Sequence, residues 1–536
     1  MDCRRADVVW LDPRDNVVVA ARDLAAAETF VAGSHRIPLR RAVPLGHKIA
    51  IAPLAAGEAV FKFGHVIGFA SEPIEPGEWV HSHNLSAGVI DRNPGSTQCG
   101  QDRAAGSGML PPPRDLSLAA RTFLGYRRAS GKSGTRNYLA IISSVNCSAS
   151  VSRAIARRFD AETLRRDFPN IDGVVAFTHG GGCGMQYGGL QHQILNRVLG
   201  GIAKHPNIGG YVLLGLGCET GTIGHLLDDQ RLVQIDGIGA PAPNGATAAT
   251  ARRPPVLSIQ DFGGTHRTIE AGVRLVAQLL PRANDVRREP VAASEIILGT
   301  NCGGSDGNSG ITANPALGVA ADMLVAAGGT VILGETSEIY GAEQLLTCRA
   351  RNPQVAEKLL EKLRWWEWYA GVFGAVLDNN PSPGNKAGGL TTIYEKSLGA
   401  VAKGGSTELV EVYPYAAEVD ARGLVVMDTP GLDPVSVTGI VAGGANIIVF
   451  TTGRGSCFGC KPTPSIKVAS NTPLYRRMID DMDLDAGRIL AGCPVADVGR
   501  EIFEEILAVA SGKSTKSEQQ NLGDEEFVPW TLGPVL

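Results

Sequence analysis

Up to residue 98, short apolar stretches such as VVVA from Val17, FVAG from Phe30 and AVFKFGHVIGFA from Ala59 are broken by Gly and Pro. Alternation with a period of two, punctuated by turn residues, predicts a small β-rich domain over 1–98. From Phe123 the pattern changes. The apolar runs YLAIISSV and GVVAFTHG each end in a turn bearing Gly or Cys before a helical stretch, and YVLLGLGCET followed by GTIGHLLDD repeats that design. Strands alternating with helices predict an α/β domain with a mostly parallel sheet over 120–290, in which ligands gather at the carboxyl ends of strands. After the Pro/Arg-rich stretch 281–290, EIILGTNCGGSDGNSGITANP and NIIVFTTGRGSCFGC repeat the strand-then-glycine theme, so a second α/β domain is expected over 291–513. Periodicity vanishes between Arg92 and Leu116, and 99–119 reads as a linker. Residues 514–536 read as a C-terminal tail without recognisable chemistry.

Composition narrows the class. A chain of 536 residues exceeds what one hydrophobic core accommodates, which agrees with several domains. Glycine, at 67 residues, is abundant without a collagen-like period, as expected where backbone approaches a small ligand. A net charge of -4 offers no basic stripe for phosphates, so no nucleic-acid partner is expected. Asp7 and Trp10 interrupt the stretch where a signal peptide would be apolar, and no eighteen apolar residues run together. The sequence therefore predicts a cytoplasmic chain without a membrane partner. Ten cysteines scattered along such a chain are expected to be reduced.

Several constellations carry candidate chemistry. VHSHN places His81 and His83 two apart, so on a strand both imidazoles would face one side and could share a metal or a carboxylate; incidental histidines at a solvated strand end are the alternative. His179 and Cys183 lie in FTHGGGCGM, Cys218 and Glu219 in GLGCET, and Cys302 and Asp306 in NCGGSDG, each after a strand-like run. The three cysteines either converge on a metal or iron–sulfur cluster, or are buried inert thiols. Cys457 and Cys460 form a lone CxxC, and the loop around them reads better as an anion-binding turn with Arg454 as a carboxylate clamp. Lys386, in the Pro/Gly-rich NPSPGNKAGG, is a candidate base or carboxylate partner. Trp365, Trp366, Trp368 and Tyr369 read as packing or a subunit contact.

Taken together, GHKIAI at Gly46, VHSHN at Val80, YRRASGKSGTRN at Tyr126, GLGCE at Gly215, CGGSDGNSGITANP at Cys302, NPSPGNKAGG at Asn380 and TTGRG at Thr451 resemble the altronate/galactarate dehydratase family, closest to its altronate-type members. The resemblance runs from about Asp12 to Ala491 and departs at Cys457 and Cys460. It implies an N-terminal SAF (β-clip) domain joined to two α/β domains, and loss of water from an aldonate or aldarate to give a 2-keto-3-deoxy acid. It also implies a divalent metal, most often Fe²⁺ with Mn²⁺ possible, while the three cysteines read by themselves keep an iron–sulfur cluster as the alternative cofactor.

In that chemistry the α-hydrogen is weakly acidic and hydroxide leaves poorly, so a Lewis acid and a base are both needed. His179 and Lys386 are the expected bases, with Glu335 or Glu338 as alternatives. His81, His83, Cys183, Cys218 and Cys302 are the expected metal ligands. The polar string Asn301, Ser305, Asp306, Asn308 and Ser309 suits sugar hydroxyls, and Arg454 a carboxylate. A homo-oligomer, taken as a dimer, is expected. The rival readings are a lyase acting on another hydroxy acid, such as a sulfonated one, and a non-catalytic sugar-acid-binding protein.

Overall fold

The structure, a computed structural model, describes residues 7–33, 35–90, 116–233 and 254–532. The expected linker up to residue 115 lies outside the described residues. The N-terminal domain consists of short antiparallel strands in small sheets, one ordered Val8–Val9, Val17–Ala20, Lys48–Ala50, Trp79–Val80 and another Ala59–Lys62, His65–Ala70, Leu85–Ser86. One local rule recurs in their turns. Glu28, Glu58 and Glu78 each accept a hydrogen bond from the backbone N–H three residues earlier, at Ala25, Ala55 and Glu75. The turns before Glu58 and Glu78 pass through Gly57 at φ 83° and Gly77 at φ 84°, a backbone region that L side chains avoid.

Two parallel sheets come next, as the alternation of strands and helices requires. The first is ordered Gly173–Phe177, Tyr138–Ser143, Ile208–Gly215, Val256–Ser258, with every neighbouring pair parallel. The second has seven strands, ordered Leu409–Tyr413, Gly423–Met427, Thr330–Leu333, Ile297–Cys302, Ile447–Thr452, Ser465–Ala469, Leu484–Asp485, again all parallel. Helices cover these sheets, so central strands such as Ile208–Gly215 and Ile447–Thr452 are buried at every position and read as unbroken apolar runs. Between the two sheets' segments, Thr122–Arg127 pairs with Ser133–Gly134 and Glu289–Ala292 in an antiparallel clasp.

The N-terminal domain is fused to the seven-stranded sheet's domain. Val60, Ile67, Val80 and Leu85 belong to the same apolar core as Leu298, Leu317 and Leu398. The C-terminal tail is also structural. Trp530 stacks on Trp366 with centroids 5.2 Å apart, Phe527 meets Phe177 edge-on at 5.2 Å, and Glu518 pairs with the buried Arg136 at 2.6 Å. Trp365, Trp366 and Tyr369 pack as expected for a structural cluster, while Trp368 remains 63% exposed. Among the described residues no helix is long and apolar enough to cross a membrane.

Candidate active site

The carboxyl ends of Ile297–Cys302 and Thr330–Leu333 lie side by side in the sheet, and the turns leaving both strands are polar and buried. Glu335 sits just past the second strand in the left-handed region at φ 61°, a conformation uncommon for a residue with a side chain. Its N–H donates to Thr429 Oγ1 at 2.6 Å, and its carboxylate accepts the N–H of Cys302 at 3.0 Å. Lys403 donates to Cys302 Sγ at 2.8 Å and to Glu335. Lys396 donates to Glu338 at 2.7 Å and to Asn380 at 2.8 Å.

Burial sets the electrostatics of this group. It pushes the Cys302 thiol up to about 12, Glu335 up to about 7 and Asp433 up to about 6. Burial works against the Lys403 charge, but Cys302, Glu335 and Glu338 reverse that effect and raise its pKa. The ligand atoms of Cys302, Glu335 and Glu338 lie within 4.8 Å of one another. That donor set does not fit a divalent ion as it stands, because the Lys403 ammonium already bridges the thiol and Glu335 and supplies the positive charge.

The N-terminal domain closes over this group. Its Lys48 and Lys62, both buried, reach Glu395 at 2.8 and 2.9 Å. Lys62, Phe63, Cys302, Ser305, Glu395 and Lys396 line a cavity of ≈ 10 Å³, room for about one water. Four buried polar atoms nearby have no partner among the described residues: Asn301 Oδ1, Ser305 Oγ, Asn308 Oδ1 and Glu335 Oε1. Such atoms are costly unless something binds them, so their gathering around one seam marks it as a place for a polar ligand.

At the outer edge of the seam the two domains meet through imidazoles and cations. The His81 ring N–H donates to the Lys386 carbonyl at 2.8 Å, its other nitrogen meets Ser82 Oγ at 2.8 Å, and its ring stacks on His47 at 5.3 Å. Burial holds His47 down at about 4 and lowers His81 as well. The Pro383–Lys386 turn is fixed by a reciprocal capping box between Ser382 and Asn385. Arg454 leaves its strand next to it, and a Cβ at Gly388 would lie 3.2 Å from the Arg454 side chain. Lys386 is half-buried and Arg454 exposed. Both end in charges that have no hydrogen-bonding or ion-pair partner among the described residues, in contrast to the paired lysines behind them.

The expected site residues therefore divide between two places. His81, His83, Lys386, Arg454, Asn301, Ser305, Asp306, Asn308, Ser309 and Cys302 lie in or around the seam. Asp306 is a knot within it, accepting from Ser309, Asn308, Ser470 and Asn471. His81 and His83 leave the strand Trp79–Val80 for a turn rather than lying on it, and both rings contact Trp79, at 5.1 and 5.5 Å. Cys183 and Cys218 belong to the four-stranded sheet, apart from Cys302, and no shared set of ligands forms from the three. His179 is buried with both ring nitrogens engaged by backbone, from Gly181 N–H at 3.1 Å and to the Ser143 carbonyl at 2.9 Å. Burial keeps it neutral, with a pKa of about 4, so it shapes the Cys183 turn instead of serving the seam. Sequence reasoning missed Lys48, Lys62, Glu395, Lys396 and Lys403, because ion pairs between residues far apart along the chain carry no local pattern.

Comparison with known proteins decides what this assembly is. Residues 6–88 match the altronate/galactarate dehydratase SAF domain, 125–284 the second domain of D-galactarate dehydratase/altronate hydrolase, and 293–535 the C-terminal part of D-galactarate/altronate dehydratase. The chain belongs to the altronate/galactarate dehydratase family. It is similar to altronate dehydratase of Bacillus subtilis, 34% identical over 96% of this chain and 97% of the relative. Altronate dehydratase of Escherichia coli is 34% identical over 95% of this chain and 96% of its own length. The L-threo-forming galactarate dehydratase of Escherichia coli is 36% identical over 95% and 94%. These relatives are hydro-lyases, and the chain is an enzyme of that type, with sugar-acid dehydration as its family chemistry. The SAF domain is thus the part that supplies His47, Lys48, Lys62, His81 and His83 to the seam.

Proposed function

We propose that the enzyme dehydrates a hexonate or hexarate of altronate- or galactarate-like configuration to the 2-keto-3-deoxy acid, at the seam between the SAF domain and the seven-stranded sheet. The observation that carries this reading is the pair of cations, Lys386 and Arg454, that have no ion-pair partner among the described residues and stand at the edge of a seam where buried polar atoms lack partners. Arg454 grips the carboxylate through its planar fork of donors. Lys386 takes the proton from the carbon bearing the α-hydroxyl. The electron pair moves into the carboxylate, where the Arg454 charge stabilises the enediolate. The β carbon–oxygen bond then breaks, and the proton held by Lys386 goes to the departing hydroxide as water. The resulting enol tautomerises to the keto acid, which balances the reaction. Metal dependence is part of this proposal, but no step is routed through an ion at Cys302, Glu335 and Glu338, where Lys403 already stands.

The test is an anaerobic screen of the purified chain, with Fe²⁺, Mn²⁺ or Mg²⁺, against a panel of hexonates and hexarates. Formation of a 2-keto-3-deoxy acid from one stereochemical class is expected. Binding without keto-acid formation across the panel would overturn the proposal in favour of a sugar-acid-binding protein.

A further inference from the structure

The seam leaves one set of chemistry-bearing side chains unused. Cys147, Cys183 and Cys218 come after Tyr138–Ser143, Gly173–Phe177 and Ile208–Gly215, and the first of these strands lies between the other two, all parallel. The three turns therefore leave one edge of the sheet side by side. They are tied together by backbone. Asn146 N–H donates to the Gly181 carbonyl at 2.9 Å, and Gly221 N–H donates to the Gly182 carbonyl at 2.9 Å. Gly182, at φ +101°, lets the Cys183 turn press against the Cys147 turn, since a Cβ there would stand 2.4 Å from the Ser144 carbonyl oxygen. Glu219 braces the third turn, accepting from Ser144 Oγ and from Gly217 N–H at 2.7 Å each, which commits that carboxylate to the scaffold.

All three thiols are free and exposed. Unpaired cysteine is among the most buried residue types, so three exposed thiols on adjoining turns are not what packing selects. A second feature stands on the same edge. His192, on the helix after the Cys183 turn, is fully buried with Nε2 unpartnered, and it stacks at 4.8 Å on His225, from the helix after the Cys218 turn.

We propose that Cys147, Cys183 and Cys218 hold an iron–sulfur cluster through three thiolates, with one iron left open to a small oxygen ligand. Thiolate sulfur selects soft ions and iron–sulfur clusters over hard cations. A single tetrahedral ion with bonds of about 2.3 Å would draw its sulfurs to within about 4 Å of each other. These three do not lie within 4.8 Å of one another as a group, whereas a cluster spans a wider set of ligands. Three protein ligands instead of four keep a coordination position free, as at catalytic centres. Each cysteine binds as thiolate, so loading releases its thiol proton. Cys302 takes no part, being buried beside Lys403 in the other sheet's domain.

The test reads metal and sulfide, not dehydration, so its failure is distinct from failure of the seam proposal. The full-length chain is purified anaerobically, reconstituted with ferrous iron and sulfide, and assayed for iron, acid-labile sulfide and visible absorption. About four iron and four sulfide per chain are expected, as for a [4Fe–4S] centre. Cys147→Ser, Cys183→Ser and Cys218→Ser should each fall towards background, and Cys493→Ser should not. Because a serine variant can fail to fold, alkylation of the wild-type thiols is mapped in parallel, and loading should shield these three together. Absence of acid-labile sulfide, iron or zinc bound without sulfide, or unshielded thiols in the loaded chain would each overturn the proposal.

Discussion

Lys386 and Arg454 differ from the other cations of the seam in one respect that matters for chemistry. Lys48, Lys62, Lys396 and Lys403 are each committed to a carboxylate, so their charge is already spent on the fold. The free pair is available to an anion. Replacing Arg454 with Met should weaken substrate binding by about 1.5–3 kcal/mol, the scale of a hydrogen bond to a charged group, and raise KM roughly 10- to 100-fold. Lys386→Met should lower kcat by about 10²–10⁴-fold, the usual contribution of a positioned base. Lys386→Arg separates base from charge partner, because arginine keeps the charge but stays protonated. Steady-state kinetics should therefore show kcat lost in Lys386→Arg with KM near wild type, and retained kcat would remove Lys386 from the base role. Lys386 and Arg454 stood out in the sequence because each sits in a Gly- or Pro-rich loop. His179 was misleading for the same reason: a histidine in a glycine turn looks catalytic until both its ring nitrogens are found on backbone carbonyl and amide.

At the scale of elements, the helix Ile393–Val401 is the part that fastens the SAF domain. Glu395 in its first turn accepts from Lys48 and Lys62 and from Thr391 N–H and Oγ1, and Thr392 donates to the Ile67 carbonyl. Burial raises the Glu395 pKa, but the two lysines outweigh it and hold the carboxyl well below its ordinary range. A carboxylate depressed in the folded state contributes stability above the unfolded value near 4.5, and that contribution is lost as pH falls through the lower folded value. Glu395→Gln should cost about 3–5 kcal/mol at neutral pH by leaving two buried ammonium groups unpaired. Thermal unfolding measured across pH should show the wild type losing stability in acid and the variant, already weakened, losing less. A variant as stable as wild type at pH 7 would mean that the triad does not fasten the domain. None of this was visible beforehand, because Lys48 and Glu395 are hundreds of residues apart and neither stands in a recognisable spacing.

For the whole molecule, the class of fold was readable: strands that end in glycine turns before helices became two parallel sheets, and short alternating strands became the SAF domain. Apolar periodicity reports burial, and burial depends on layer architecture. The gathering of site residues was not readable, since the same strand-then-cysteine pattern recurs in both sheets. Cys183 and Cys218 share an edge with Cys147, which the sequence also places after an apolar run, while Cys302 turned to a different partner set. Two sheets thus give two candidate places for chemistry, and the central claim is that the sugar acid occupies the seam. Amide hydrogen exchange with and without a saturating hexonate or hexarate tests it most directly. Slowed exchange at His81–Asn84 and Pro383–Gly389 is the predicted result; protection confined to the turns at Cys147, Cys183 and Cys218, with the seam unchanged, would contradict it.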